Sequence, residues 1–108
     1  MRYRDVIFSD QANLDLRGIY TWLADQAGPF VALAYVERIS AFIHRLDRAS
    51  ERGTLRNDLM PGLRIIGFER RVTIAFTVEQ THVTVLRVFY GGKDWEEEWD
   101  EDDPPLTP

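Results

Sequence analysis

The chain has 108 residues, 44% of them hydrophobic, and no cysteine. That length gives one domain with room for its own core, and the missing thiols exclude a disulfide framework and a thiolate metal site while agreeing with a reducing compartment. The formal charge of -5 is unevenly spread: residues 96–103 hold seven acids, which leaves eleven acids against thirteen Lys and Arg, a body near +2 with an acidic tail.

A body of that charge is less basic than a nucleic-acid binder that works alone. No apolar run is long enough to span a bilayer, and the first ten residues lack the long apolar segment of a signal peptide. The expectation is a soluble cytoplasmic protein with no membrane partner.

In chain order, residues 3–8 read as a short strand with Tyr3, Val6, Ile7 and Phe8 as its apolar content. Ser9 and Asp10 offer side-chain oxygens to the free amides of a helix start. In the helix that follows, Ala12, Leu16, Ile19, Tyr20, Leu23 and Ala27 fall in one stripe of roughly a hundred degrees. Leu14 and Trp22 lie off that stripe, and two large apolar side chains on an outer helix surface suggest a contact. Gly28-Pro29 closes this helix and opens the next with almost no loop, so the pair folds back antiparallel. The second helix is expected to run to about Arg48, about 30 Å long, with Ala32, Tyr35, Val36, Ile39, Phe42, Ile43 and Leu46 on one face.

Residues 49–62 show no sustained period and read as a loop. Residues 63–68 and 72–78 are two strands around the corner Glu69-Arg70-Arg71, and residues 82–90, HVTVLRVFY, are a third. That last strand is apolar on both faces and belongs mid-sheet, which makes Arg87 inside it costly without a partner or an open groove. The order β-α-α-β-β-β predicts an α+β fold, a helical hairpin on one face of a four-stranded, mainly antiparallel sheet. Residues 1–95 form the domain and 96–108 an acidic, proline-containing tail. Across that boundary, Asp94 is placed to cap a single helical turn that stacks Trp95 and Trp99 and docks both indoles on the body.

If one sheet face is bare, Arg64 and Arg87 are placed to receive phosphate or carboxylate oxygens from a partner there. The other reading is an internal ion pair, for instance with Glu69, Asp58 or Asp94. A ribonuclease would need a proton acceptor beside its cations. Arg64, Arg87, Lys93 and Tyr90 supply cations and an acid, but His82 begins the last strand and His44 lies in the second helix, so neither converges with them. No metal-ligand spacing, cofactor motif or Ser-His-Asp arrangement is recognisable. The acidic tail reads as a solvated segment, or else as a strip that mimics nucleic acid or holds a basic partner.

The chain resembles the ParE toxins of the RelE/ParE superfamily of bacterial type II toxin-antitoxin systems. The likeness runs from Val6 to Trp95. It is carried by Phe8-Ser9, Ala12, Asp15-Leu16, Ala34-Tyr35, Leu46, Gly53, Arg56, Leu59, Pro61-Gly62-Leu63-Arg64, Leu86-Arg87-Val88 and Gly91-Gly92-Lys93-Asp94-Trp95. The resemblance implies a toxin that inhibits DNA gyrase by binding it, with Arg64, Arg87, Tyr90, Lys93 and Trp95 as target-binding candidates and no cofactor. It also implies a ParD-like antitoxin, with Leu14 and Trp22 as contacts, and operator DNA met only through that antitoxin. The alternatives are a ribosome-dependent messenger endoribonuclease of the RelE type using Arg64, Arg87 and Tyr90, and an inactive relative kept as a binding module.

Overall fold

A computed structural model of the protein describes residues 3–91 and 95–99. Its longest strand, β5 (His82–Tyr90), lies between β1 (Asp5–Phe8), which runs parallel to it, and β4 (Val72–Val78), which runs antiparallel. Beyond β4 come β3 (Leu63–Phe68) and the two-residue β2 (Thr54–Leu55), giving the order β1-β5-β4-β3-β2. The sheet therefore has five strands rather than the expected four. The additional one sits at an edge inside the stretch read as loop, and two residues carry no period to find. Gly53 makes it possible: its φ is 75°, and a Cβ there would stand 2.3 Å from the Ile65 carbonyl oxygen.

The helices form the expected hairpin. Ser9 caps α1 (Asp10–Ala27), its Oγ accepting from the Ala12 amide at 3.0 Å, and the same hydroxyl donates to the Leu86 carbonyl at 2.9 Å. One buried side chain thus both starts the helix and ties it to β5. Gly28, at φ 97°, ends α1 by donating to the Ala24 carbonyl and precedes Pro29, the first residue of α2 (Pro29–His44). The second helix stops four residues before the expected Arg48. A 3-10 turn over Arg45–Asp47 follows it, and Ala49 takes a left-handed φ of 49°. Arg52 gathers the carbonyls freed there, its Nε donating to Ala49 and its Nη2 to Arg45 and Arg48. The first strand is likewise shorter than the sequence suggests, Tyr3 joining only through an isolated bridge to Arg48.

The main core lies between the hairpin and one sheet face. Ala12 and Ile19 of α1 and Tyr35, Ile39 and Ile43 of α2 meet Val72, Ile74 and Phe76 of β4 and Val83, Val85 and Val88 of β5. Tyr20 and Ala27, placed on the inward stripe from sequence, are exposed. The opposite face is not bare. Leu63, Ala75, Leu86 and Phe89 form a second, smaller cluster covered by Leu59, Met60 and Ile65 and by two tryptophans, Trp95 and Trp99. Trp95 opens the helical turn α3 (Trp95–Glu98), and the Trp99 amide donates to the Trp95 carbonyl at 3.1 Å. Both indoles dock on the body as expected, and the turn spans the division drawn between residues 95 and 96. The cap assigned to Asp94 falls outside the described residues.

Replacing Ser9 with Ala removes the α1 cap and leaves the buried Leu86 carbonyl without that donor. The expected loss is about 2 kcal/mol in chemical denaturation. A loss under a few tenths would show that the hydroxyl does not join helix to strand.

Candidate functional site

Past Phe8 no strand among the described residues continues along the β1 side of β5, and α1 takes the place of β1 along that edge. The replacement is made by Asp15. Its Oδ2 accepts from the Val88 backbone amide at 2.8 Å and from Arg87 Nε at 2.8 Å, and its Oδ1 accepts from Arg87 Nη2 at 3.1 Å and Gln11 Nε2 at 3.2 Å. Four donors fill the acceptor sites of one carboxylate. The pair is well shielded, the side chains being 15% exposed for Arg87 and 10% for Asp15. The internal partner of Arg87 is therefore Asp15 rather than Glu69 or Asp58, and Asp94, the third acid considered from sequence, lies outside the described residues. Glu69 instead pairs with Arg38 and Asp58 with Arg56.

Arg64 and Arg87 do not meet. Cross-strand partners share a face of the sheet, and Arg64 stands opposite Phe76, in the main core, whereas Arg87 stands opposite Ala75, in the second cluster. The two arginines thus start from opposite faces, with β4 between their strands. The Arg64 guanidinium donates to the Arg52 carbonyl at 3.3 Å. The Arg87 side chain lies over the Phe89 ring, 4.7 Å from its centroid, before forking onto Asp15. A shared anion site on a bare face, expected from the two interrupted strands, is absent because the face is covered and the register separates the charges.

The structure joins other residues instead. Leu14, Gly18 and Trp22 of α1 and Arg87, Phe89 and Tyr90 of β5 line a cleft of about 280 Å³, with Glu98 of α3 at its border. Trp22 is 51% exposed and Leu14 53%. The Trp22 ring packs on Tyr90, centroids 5.5 Å apart, and Tyr90 meets the Tyr35 ring edge-on at 6.0 Å. Burial is the largest of the effects that raise the pKa of the Tyr35 hydroxyl, followed by the neighbouring Tyr90. That hydroxyl has no hydrogen-bond partner among the described residues.

On the second face, Arg56 ties the C-terminal turn to the loop before β3. Its Nη1 donates to Glu96 at 2.6 Å, its Nε and Nη2 to Asp58 at 2.9 and 2.8 Å, and its guanidinium lies 5.4 Å from the Trp95 ring centroid. Hydrogen bonding to Asp58, then to Glu96, raises the Arg56 pKa, and the same bond lowers that of Asp58. The Trp95 ring packs in turn on Phe89, centroids 5.8 Å apart.

Of the candidates named from sequence, Leu14, Trp22, Arg87 and Tyr90 thus share one cleft. Trp95 adjoins it through Phe89, Arg64 lies apart, and Lys93 is outside the described residues. Sequence reasoning missed Asp15 as the partner of Arg87. The available signal was its place one residue from Leu14 and seven from Trp22, on the flank of the helix that those two mark. His82 and His44 stand away from the cleft: the first opens β5 opposite Asp5, and the second packs on Phe8, ring centroids 5.5 Å apart. No group of three or more potential metal ligands occurs among the described residues, and no helix there is long and apolar enough to cross a membrane.

A helical hairpin on one face of a small mixed sheet, with an aromatic cleft along the strand edge, defines an α+β domain built to present surfaces. The family model for the ParE toxin of the type II toxin-antitoxin system parDE matches residues 6–95. The chain belongs to that family. Among solved structures, it is similar to a chain described as the chromosomal ParDE TA system from P. aeruginosa, with 26% identity and a TM-score of 0.72 over 82% of this chain and 97% of that one. A search of curated proteins gave no match.

Breaking the central ion pair tests its weight. Asp15→Ala and Arg87→Ala are each expected to cost about 3 to 5 kcal/mol, each leaving a shielded charge unpaired, while the double variant costs clearly less than their sum. Strict additivity in urea unfolding would show that the pair is not one energetic unit.

Proposed function

We propose that this ParE-family toxin acts by binding DNA gyrase and is neutralised by a ParD-like antitoxin that covers the residues the target would meet. The observation that carries this reading is the contact between Trp22 and Tyr90. A side chain named as an antitoxin contact and one named as a target contact pack against each other in one cleft. A segment seated on Trp22 would occlude Tyr90 directly. Neutralisation then needs no conformational change, only competition for one surface.

A second apolar surface on the hairpin supports a wrapping antitoxin. Leu16 and Tyr20 of α1 and Leu33 and Val36 of α2 line a groove of about 570 Å³, and nearby in α2 Phe30 is 88% exposed. Its residues at helical spacing suit an amphipathic helix laid into a groove. With Leu14 and Trp22 on the other flank of α1, one partner segment would grip that helix from both sides.

The endoribonuclease reading draws little from the geometry. Arg64 and Arg87 belong to different faces, and Asp15, the carboxylate beside Arg87, already accepts four hydrogen bonds. A gyrase binder requires no such convergence, because it works by complementary surface.

Purified protein is expected to inhibit gyrase supercoiling at micromolar concentration, with inhibition weakened at least tenfold by Tyr90→Ala. Full supercoiling at that concentration, together with messenger cleavage in a translating extract, would replace this reading by the ribonuclease one. For the antitoxin, Leu33→Asp and Trp22→Asp are expected each to weaken co-purification with the cognate antitoxin, and their combination to abolish it. Unchanged co-purification of the double variant would remove both surfaces from the interface.

A further inference from the structure

The end of the hairpin away from the Gly28 turn carries a concentration of positive charge. His44, Arg45, Asp47, Arg48 and Arg52 line a cleft of about 390 Å³. Three arginines elsewhere are held by carboxylates, Arg38 by Glu69, Arg56 by Asp58 and Glu96, and Arg87 by Asp15. Here three guanidiniums face one acid, and the nearest approach of that acid is the 3.7 Å from Asp47 to Arg48 Nε. Neighbouring Glu51 is exposed and makes no ion pair with them among the described residues.

Arg45 and Arg52 are oriented without a carboxylate partner among the described residues, and Arg48 has only the long contact to Asp47. Arg45 lies over the Phe42 ring at 5.6 Å and Arg48 over the Tyr3 ring at 4.8 Å, both distances to the centroid. Aromatic faces steer a cation and leave its net charge in place. Arg52 is anchored on backbone carbonyls through Nε and Nη2. Ending α2 accounts for Arg52 alone. Among the described residues, Arg45 and Arg48 donate no side-chain hydrogen bond to that helix end, so the charge exceeds what the fold needs there.

Guanidinium forks in a concave surface match phosphate oxygens. The cleft is lined by three arginines with His44 and Asp47, while Phe42 and Tyr3 are not part of its lining, so it presents guanidiniums rather than the row of aromatic rings on which a single-strand binder stacks successive bases. We propose that this cleft grips the phosphodiester backbone of duplex DNA, without reading sequence, as a site separate from the aromatic cleft. With a body near +2, the grip is auxiliary, adding a few phosphate contacts within a larger assembly. It stands independently of the gyrase reading, since the test contains neither gyrase nor antitoxin.

The measurement is fluorescence anisotropy of a short labelled duplex titrated with the full-length protein at several salt concentrations. Binding in the range of about 10⁻⁴ to 10⁻⁶ M is expected, with log affinity falling against log salt at a slope near -3 for three neutralised phosphates. Arg45→Ala and Arg48→Ala each reduce that slope by about 1, and Arg45→Glu with Arg48→Glu abolishes binding while the unfolding midpoint holds. Arg70→Glu, reversing an exposed charge in the turn between β3 and β4, leaves binding within about twofold by the same reasoning. Equal loss in the Arg70 variant, preference for single-stranded RNA, or saturation by inorganic phosphate without duplex binding would overturn the proposal.

Discussion

The carboxylate of Asp15 does for β5 what a neighbouring strand would otherwise do. Strand β1 accompanies β5 only as far as Phe8 and Val85, and from there the backbone of a mid-sheet strand faces a helix. A helix has no free backbone amides or carbonyls along its side to offer a sheet edge. Side chains must serve, and Ser9 and Asp15 do so by taking the Leu86 carbonyl and the Val88 amide. The Arg87 guanidinium balances the charge that Asp15 brings into a shielded position. The angle at which α1 crosses the sheet edge, and hence the cleft beside it, depends on this arrangement.

That cleft follows from where the helix is pinned. Leu14, Gly18 and Trp22 sit on the flank of α1 next to the β5 edge, and a Cβ at Gly18 would meet nothing within 4 Å. Tyr90 reaches the cleft from the end of β5 and joins it to the core through Tyr35. An exposed tryptophan rests on a chain of tilted and edge-on ring contacts that continues through Phe68 to Phe42. Side chains fixed by their neighbours lose less entropy when a partner binds.

The C-terminal turn changes the meaning of the acidic tail. Trp95 and Trp99 close the second sheet face, and Glu96 is held by Arg56. At least the first of the tail's acids is therefore part of the folded surface. The opposite sign gathers at Arg45, Arg48 and Arg52, where hairpin and loop meet. A small domain of modest net charge thus separates its charges into regions, and regional charge governs which partners approach a given face.

Much of this was legible because local rules carry it. The two helices announce themselves through period, the Ser9 cap and the Gly28-Pro29 break, and the long strands through β-branched runs bounded by turns. Leu14 and Trp22 stood out as misfits on α1, and Tyr90 and Arg87 as marked positions at the end of β5. The two-residue β2 was beyond reach, since pairing so short depends on Gly53 letting the chain approach Ile65. Tyr20 is exposed in the groove that α1 forms with Leu33 and Val36 of α2, a placement that a projection of one helix cannot contain.

By itself, then, the sequence determined the elements, the α+β class and the residues that break local pattern, because these depend on spacing along one chain. Only the tertiary structure decided that Arg64 and Arg87 belong to opposite faces, that Asp15 answers Arg87, and that Trp22 rests on Tyr90. Those outcomes turn on strand register and on contacts between residues some seventy positions apart, such as the 72 that separate Asp15 from Arg87. A one-residue change of register reverses a side chain's face while leaving composition and periodicity untouched.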